Sequence, residues 1–203
     1  RVFENKGVPM GTPFFFGPMR YLRCMLKTLI LIALLTTGQA MAETVFDDFS
    51  GNANVRWDYV ADGVMGGVSS GRAEIRGSGA DAVLRLTGTV STDNNGGFLQ
   101  VRRRFSDPWA QDAQGLELRV RGNGERYYVF LKTPGLGRVW YSYRASFTAP
   151  DVWQTIRLPF TEFGASHDGM PQIFSPSNVN SVAIVAYGAD FEADVSVGRI
   201  SLY

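Results

Sequence analysis

The sequence predicts an all-β fold, a β-sandwich or jelly roll, on three observations. Short runs alternate apolar and polar residues with a period of two. Turn residues separate these runs, mostly every 10–15 positions. No stretch carries the 3.6-residue apolar period of a helix.

Taken in order, runs 45–49 and 57–60 open the series, and 72–76, 83–90 and 97–105 continue it. Run 116–121 reads Leu-Glu-Leu-Arg-Val-Arg, with leucines and valine inward and charges outward. Runs 126–132, 138–147 and 152–158 follow, with Gly122-Asn123-Gly124 and Pro134-Gly135-Leu136-Gly137 as intervening turns. Runs 182–187 and 195–202 close the chain. In the last run Val195 and Val197 share one face, while Ile200 and Leu202 would fall on the other. A bulge at Gly198-Arg199 would return all four to one side. Residues 164–178 form the one long loop, which holds His167, Pro171 and Pro176.

Two glycine-rich runs stand out. Asp62-Gly63-Val64-Met65-Gly66-Gly67-Val68-Ser69 sets three glycines around a large soft side chain, and Asn94-Asn95-Gly96-Gly97-Phe98 feeds turn residues into an aromatic. No lysine follows Gly67 or Gly97, so neither is a phosphate loop. The expectation is that Val64, Met65 and Val68 fold inward or meet something apolar, that Gly66 or Gly67 has a positive φ, that Phe98 is buried, and that Asp62 caps the loop's own backbone.

Residues 1–18 have no periodicity and read as a disordered upstream extension. Residues 19–42 read as a signal peptide: Arg20, Arg23 and Lys27 precede the apolar run 29–35, and Ala40-Met41-Ala42 offers a small-x-small cleavage site before Glu43. The expected location is periplasmic or secreted; an uncleaved anchor is the alternative, for which the apolar run is short. Residues 43–203 then make one domain of 161 residues with no span of the membrane.

Five of the 20 basic residues lie in 1–42 against one of the 19 acidic residues, so residues 43–203 carry a net charge of −3. That balance excludes nucleic acid as the main partner. Cys24, the single cysteine, lies outside the domain, which leaves no disulfide, thiolate nucleophile or cysteine ligand there. His167 is the single histidine, so neither a zinc site nor a serine triad is expected. Asp47, Asp48 and Asp194 could converge on calcium if the first and last strands are neighbours, or be ordinary strand-edge charge. No catalytic, metal or cofactor residue is expected, and the protein is read as a non-enzyme.

Arginine outnumbers lysine 14 to 1 in the domain, a ratio that genome composition alone can produce. Alternation puts Arg126, Tyr128, Phe130 and Lys132 on one face of their run, and Arg138, Trp140, Ser142 and Arg144 on one face of the next. Arg119 and Arg121 line the polar face of the preceding run. If these align, one sheet presents arginines interleaved with aromatics, a surface for a protein or a sugar. The alternative is a solvated face with arginine stems lying over Trp140 and Tyr128.

Trp57 followed by the run from Asp62 through Gly63, Met65, Gly66 and Gly67 to Ser69 resembles the opening signature of the complex I intermediate-associated protein 30 family. Asn95, Gly96, Gly97 and Phe98 with Arg102 are similar to its second signature. Arg121-Gly122-Asn123-Gly124 with Tyr127, and Leu158-Pro159-Phe160 with Phe163, are similar to later blocks. The resemblance implies a galactose-binding-like jelly roll and a non-enzymatic assembly-factor or chaperone-like role, which in mitochondrial members is building respiratory complex I. Export would set this domain on the opposite side of the membrane from the hydrophilic arm of that complex. The expected partner is therefore a protein of unknown identity, with carbohydrate binding as the alternative.

Overall fold

The computed structural model describes Gly7, Gly11 and residues 43–203. Residues 43–203 belong to one compact unit. The expected upstream extension (1–18), apart from Gly7 and Gly11, and the expected signal peptide (19–42) lie outside the described residues. Among those residues, no helix is long and apolar enough to cross a membrane.

Among the described residues, twelve strands make two antiparallel six-stranded sheets. They are β1 (Thr44–Asp47), β2 (Trp57–Ala61), β3 (Ser70–Arg76), β4 (Val83–Val90), β5 (Phe98–Arg104), β6 (Gly115–Gly122), β7 (Arg126–Lys132), β8 (Tyr143–Thr148), β9 (Gln154–Pro159), β10 (Gly164–Ala165), β11 (Ser181–Tyr187) and β12 (Phe191–Leu202). The first sheet runs β3-β4-β12-β6-β9, with β1 paired to β12; the second runs β10-β8-β7-β11-β5-β2. One helical turn, α1 (Ala53–Arg56), precedes β2. The arrangement is a jelly-roll sandwich, as the alternation predicts.

The core follows from that alternation. Leu84 and Leu86 of β4, Leu116, Leu118 and Val120 of β6, and Val195, Val197, Ile200 and Leu202 of β12 face inward from the first sheet. Leu99 and Val101, Tyr127, Val129 and Leu131, and Val182 and Ile184 meet them from the second. Burial of each such aliphatic side chain stabilises by about 1.5–3 kcal/mol. The β12–β6 register shifts between Val197 and Arg199, which is the bulge that keeps all four β12 residues inside.

Four expectations are corrected. The strand expected over 138–147 begins only at Tyr143, because the chain first makes the loop 133–142, so Trp140 is a loop residue. Phe98 is half-buried rather than buried: Leu99 takes the inward position on β5, which turns Phe98 to the outer face opposite Tyr187. Val64, Met65 and Val68 point outward, 75%, 58% and 51% exposed, because the side chain that turns inward from this segment is Asp62. Finally, the arginine–aromatic surface does not align on one sheet. β6 lies in the first sheet and β7 in the second, so Arg119 and Arg121 face away from Arg126, Tyr128 and Arg144. The turn after Gly122 carries the chain across the sandwich. The corner is pinned by the Tyr127 hydroxyl, which donates to Asn123 Oδ1 at 2.7 Å and accepts the Asp194 N–H at 2.8 Å. Burial pushes the Tyr127 phenol up to about 12.

Candidate functional site

The two glycine runs meet at one carboxylate. Residues Asp62–Met65 form a single 3₁₀ turn that ends at Gly66 with φ +90°. That left-handed angle is the positive φ expected at Gly66 or Gly67. Asp62 is fully buried. It accepts the Ser69 N–H at 3.0 Å, the Ser69 hydroxyl, the Gly97 N–H at 2.6 Å and the Phe98 N–H at 3.2 Å. Ser69 Oγ also bridges to the Ser91 carbonyl and amide. Burial raises the Asp62 pKa, but the Ser69 hydroxyl and then the Gly97, Phe98 and Ser69 amides outweigh it and hold the carboxyl below its usual range. Glycine is required at two neighbours: a Cβ on Gly67 would lie 2.4 Å from Asp62 Cγ, and one on Gly96 would lie 2.5 Å from Oδ2. Asn94 and Asn95 both adopt positive φ, and Gly63 has open space around it. This cluster is a rigid joint between the β2–β3 and β4–β5 loops, and it holds Val64 and Met65 out to solvent.

A second joint lies near the other end of β2. Buried Asp47 accepts bonds from Arg56 Nη2 at 2.9 Å, Trp57 Nε1 at 2.8 Å, Arg103 Nη1 at 2.7 Å and the Phe49 amide at 2.8 Å. Trp57 is therefore a structural anchor. Asp194 is held separately by Arg85 in a two-point pair at 2.8 and 2.7 Å. β1 and β12 are neighbours as expected, yet Asp47 sits opposite Ile200, six positions from Asp194. Asp47 and Asp194 are each neutralised by arginine and do not converge. Among the described residues no group of three or more His, Cys, Asp and Glu could hold a metal ion. His167 stacks on Tyr141 with ring centres 4.8 Å apart, and its Nδ1 lies 2.8 Å from Ser166 Oγ.

The outer face of the second sheet carries the remaining candidate residues. Register places Tyr128 beside Val185, with Gln100 on the far side of Val185, and Phe130 beside Ala183, with Arg102 on the far side of Ala183; Arg144 lies opposite Phe130. Tyr128, Phe130 and Tyr187 meet edge-to-face at 5.5–6.1 Å. The Arg144 guanidinium lies 4.4 Å from the Phe130 ring centre and 4.9 Å from that of Tyr187. These side chains cover Val185 and Ala183 completely enough to bury β11 on both faces. Arg126 is exposed at the start of β7. Trp140 is half-exposed on the adjoining loop, with Arg138 5.8 Å from its ring. On the opposite outer face, Arg119 and Arg121 flank the Trp153 ring at 4.3 and 5.2 Å. Trp153 and Tyr187 were not singled out from sequence; their signal was an aromatic on a polar strand face or at a strand end.

The chain matches the sequence model of a family described as Complex I intermediate-associated protein 30 (CIA30), over residues 47–201. Among curated proteins no sequence matches it. Its fold is shared with several solved structures. The family 11 carbohydrate-binding module from Clostridium thermocellum, in complex with a β-1,3-1,4-mixed-linked tetrasaccharide, superposes with a TM-score of 0.67 at 18% identity, covering 81% of this chain and 96% of that one. The family 11 module of the cellulosomal cellulase Lic26A-Cel5E of the same organism gives 0.64 at 20% identity, with coverages of 81% and 95%. The family 30 module of the cellulosomal cellulase Cel9D-Cel44B, also from Clostridium thermocellum, gives 0.50 at 14% identity, with coverages of 80% and 98%.

Proposed function

Because this chain belongs to the Complex I intermediate-associated protein 30 family, we propose that it is a non-catalytic binding domain with an assembly-factor or chaperone-like role, holding a protein partner on the outer face of its second sheet. The observation that carries this reading is the layer of Tyr128, Phe130 and Tyr187 packed under Arg144. Aromatics and arginine in a packed, partly desolvated patch are the residues that dominate protein interfaces. The segment 19–42, read as a signal cleaved near Ala42, supports a periplasmic or secreted location for residues 43–203.

A second reading, carbohydrate binding, is favoured by the sandwich shared with carbohydrate-binding modules and by half-exposed Trp140 beside the face. Against it, the three rings stand at 62–88° to one another and offer no common plane for a sugar ring.

A photo-crosslinking residue at position 128, compared with one at position 119 on the opposite face, tests the proposal in the native cell envelope. One defined protein captured from position 128 alone is the expected result. A glycan array bound strongly by the wild type and lost in Trp140→Ala would replace it with the carbohydrate reading.

A further inference from the structure

The outer face of the second sheet ends in a cleft of about 480 Å³ bounded by β5, β7 and the loop 133–142. Arg102 and Arg104 rise from β5, Lys132 from the end of β7 and Arg138 from the loop. Arg102 and Arg104 are two residues apart on one strand face, roughly 7 Å. Ser181 of β11 pairs with both Arg104 and Lys132, so these two cations flank it. The Lys132 ammonium donates to the Val139 carbonyl and ties the loop to the cleft.

The cations in this cleft are not held in ion pairs: among the described residues none of the four forms one, although the domain carries a net charge of −3. Asp58 lies across from Arg102 in the β2–β5 register without pairing to it. The Arg102 Nε is buried and has no hydrogen-bond partner. Burial, then Arg102, Arg144 and Arg104, push the Lys132 ammonium below its usual range. Gathering like charges in this way costs stability that an anion would restore.

We infer that this cleft receives the carboxylates of an acidic peptide segment on the protein partner. The inference rests on the outer face of the second sheet being the protein-binding surface. β5, β7 and β11 are each paired on both edges, so such a segment cannot add as a strand and must be read by side chains. Arginine forks suit that task because they bind carboxylates at two points.

Fluorescence anisotropy with a labelled oligoglutamate peptide tests this on the whole chain. Expected are saturable binding that weakens steeply with added salt, and a loss of about tenfold or more in Arg102→Gln/Lys132→Gln. Arg104→Gln/Arg138→Gln, built at exposed positions that leave the fold intact by circular dichroism, should weaken binding in the same direction. Arg119→Gln/Arg121→Gln on the first sheet should bind as the wild type does. No binding of oligoglutamate, equal loss in the first-sheet variant, or tighter binding of oligogalacturonate would overturn the inference. Partner capture from position 128 that is unchanged in the neutralised cleft would overturn it too, while leaving the protein-binding face standing.

Discussion

The Asp62 carboxylate accepts the backbone N–H of Gly97 at 2.6 Å, across 35 residues of chain. One buried acid thus joins the two glycine runs. Asp62→Ala strands the Gly97 and Ser69 amides without their acceptor. It should destabilise the domain by about 2–4 kcal/mol, as chemical denaturation at neutral pH would measure. A loss below about 0.5 kcal/mol would mean that water replaces the carboxylate.

The glycines beside Asp62 should fail for different reasons. Gly67→Ala drives a methyl into the carboxylate and should cost about 2–3 kcal/mol. Gly66→Ala meets no atom within 4 Å but must hold φ +90°, at about 1–2 kcal/mol. Combined with Asp62→Ala, the Gly67 cost should shrink while the Gly66 cost persists, so a double-mutant cycle separates collision from backbone strain.

Asp47 anchors Arg56, Arg103 and the Trp57 indole. Asp47→Asn should cost about 3 kcal/mol in thermal or denaturant melts, since it leaves two arginines and a buried site without their charge partner.

Both acids make stability depend on pH. For each, burial pushes the pKa up, but hydrogen bonds (from Arg56, Trp57 and Phe49 to Asp47) bring it below the usual carboxylate value. A lowered folded pKa stabilises fully above the unfolded value of about 3.9 and is lost as pH falls through the folded one. Stability should therefore be flat near neutrality and fall below about pH 4. The Asp62→Ala and Asp47→Asn variants should each show a shallower acid limb.

On the proposed binding face, Arg144→Gln exposes one side of the Phe130 and Tyr187 rings and removes a planar charge. Partner capture should fall by about tenfold or more, with the melting temperature nearly unchanged. Arg119→Gln, on the other face, should leave capture intact; equal losses would place the partner elsewhere.

Much of the fold was legible because period-two alternation reports directly which side of a strand is apolar. Val83–Val90 and Arg126–Lys132 stand where the pattern puts them, and the 198–199 bulge follows from four apolar residues needing one face. Alternation cannot say to which sheet a strand belongs, so Arg119 and Tyr128 read as neighbours although the turn after Gly122 sends them to opposite faces. Chance alternation through Arg138, Trp140 and Ser142 likewise extended a strand into a loop. Val64 and Met65 read as core from hydrophobicity alone; the buried acid that displaces them was visible only as a capping candidate, because its partners lie in a distant run.

The pairing of Thr44 with Leu202 also has a mechanical consequence. Residues at the two edges of the domain leave it side by side, one strand spacing apart. A force pulling them apart acts along the hydrogen bonds of the β1–β12 ladder, which run perpendicular to the strands. It would therefore peel those bonds one after another rather than shear them together. Stretched between two attachment points, this domain should yield at β1 first and at low force, while the joints at Asp62 and the bulged core of β12 still hold.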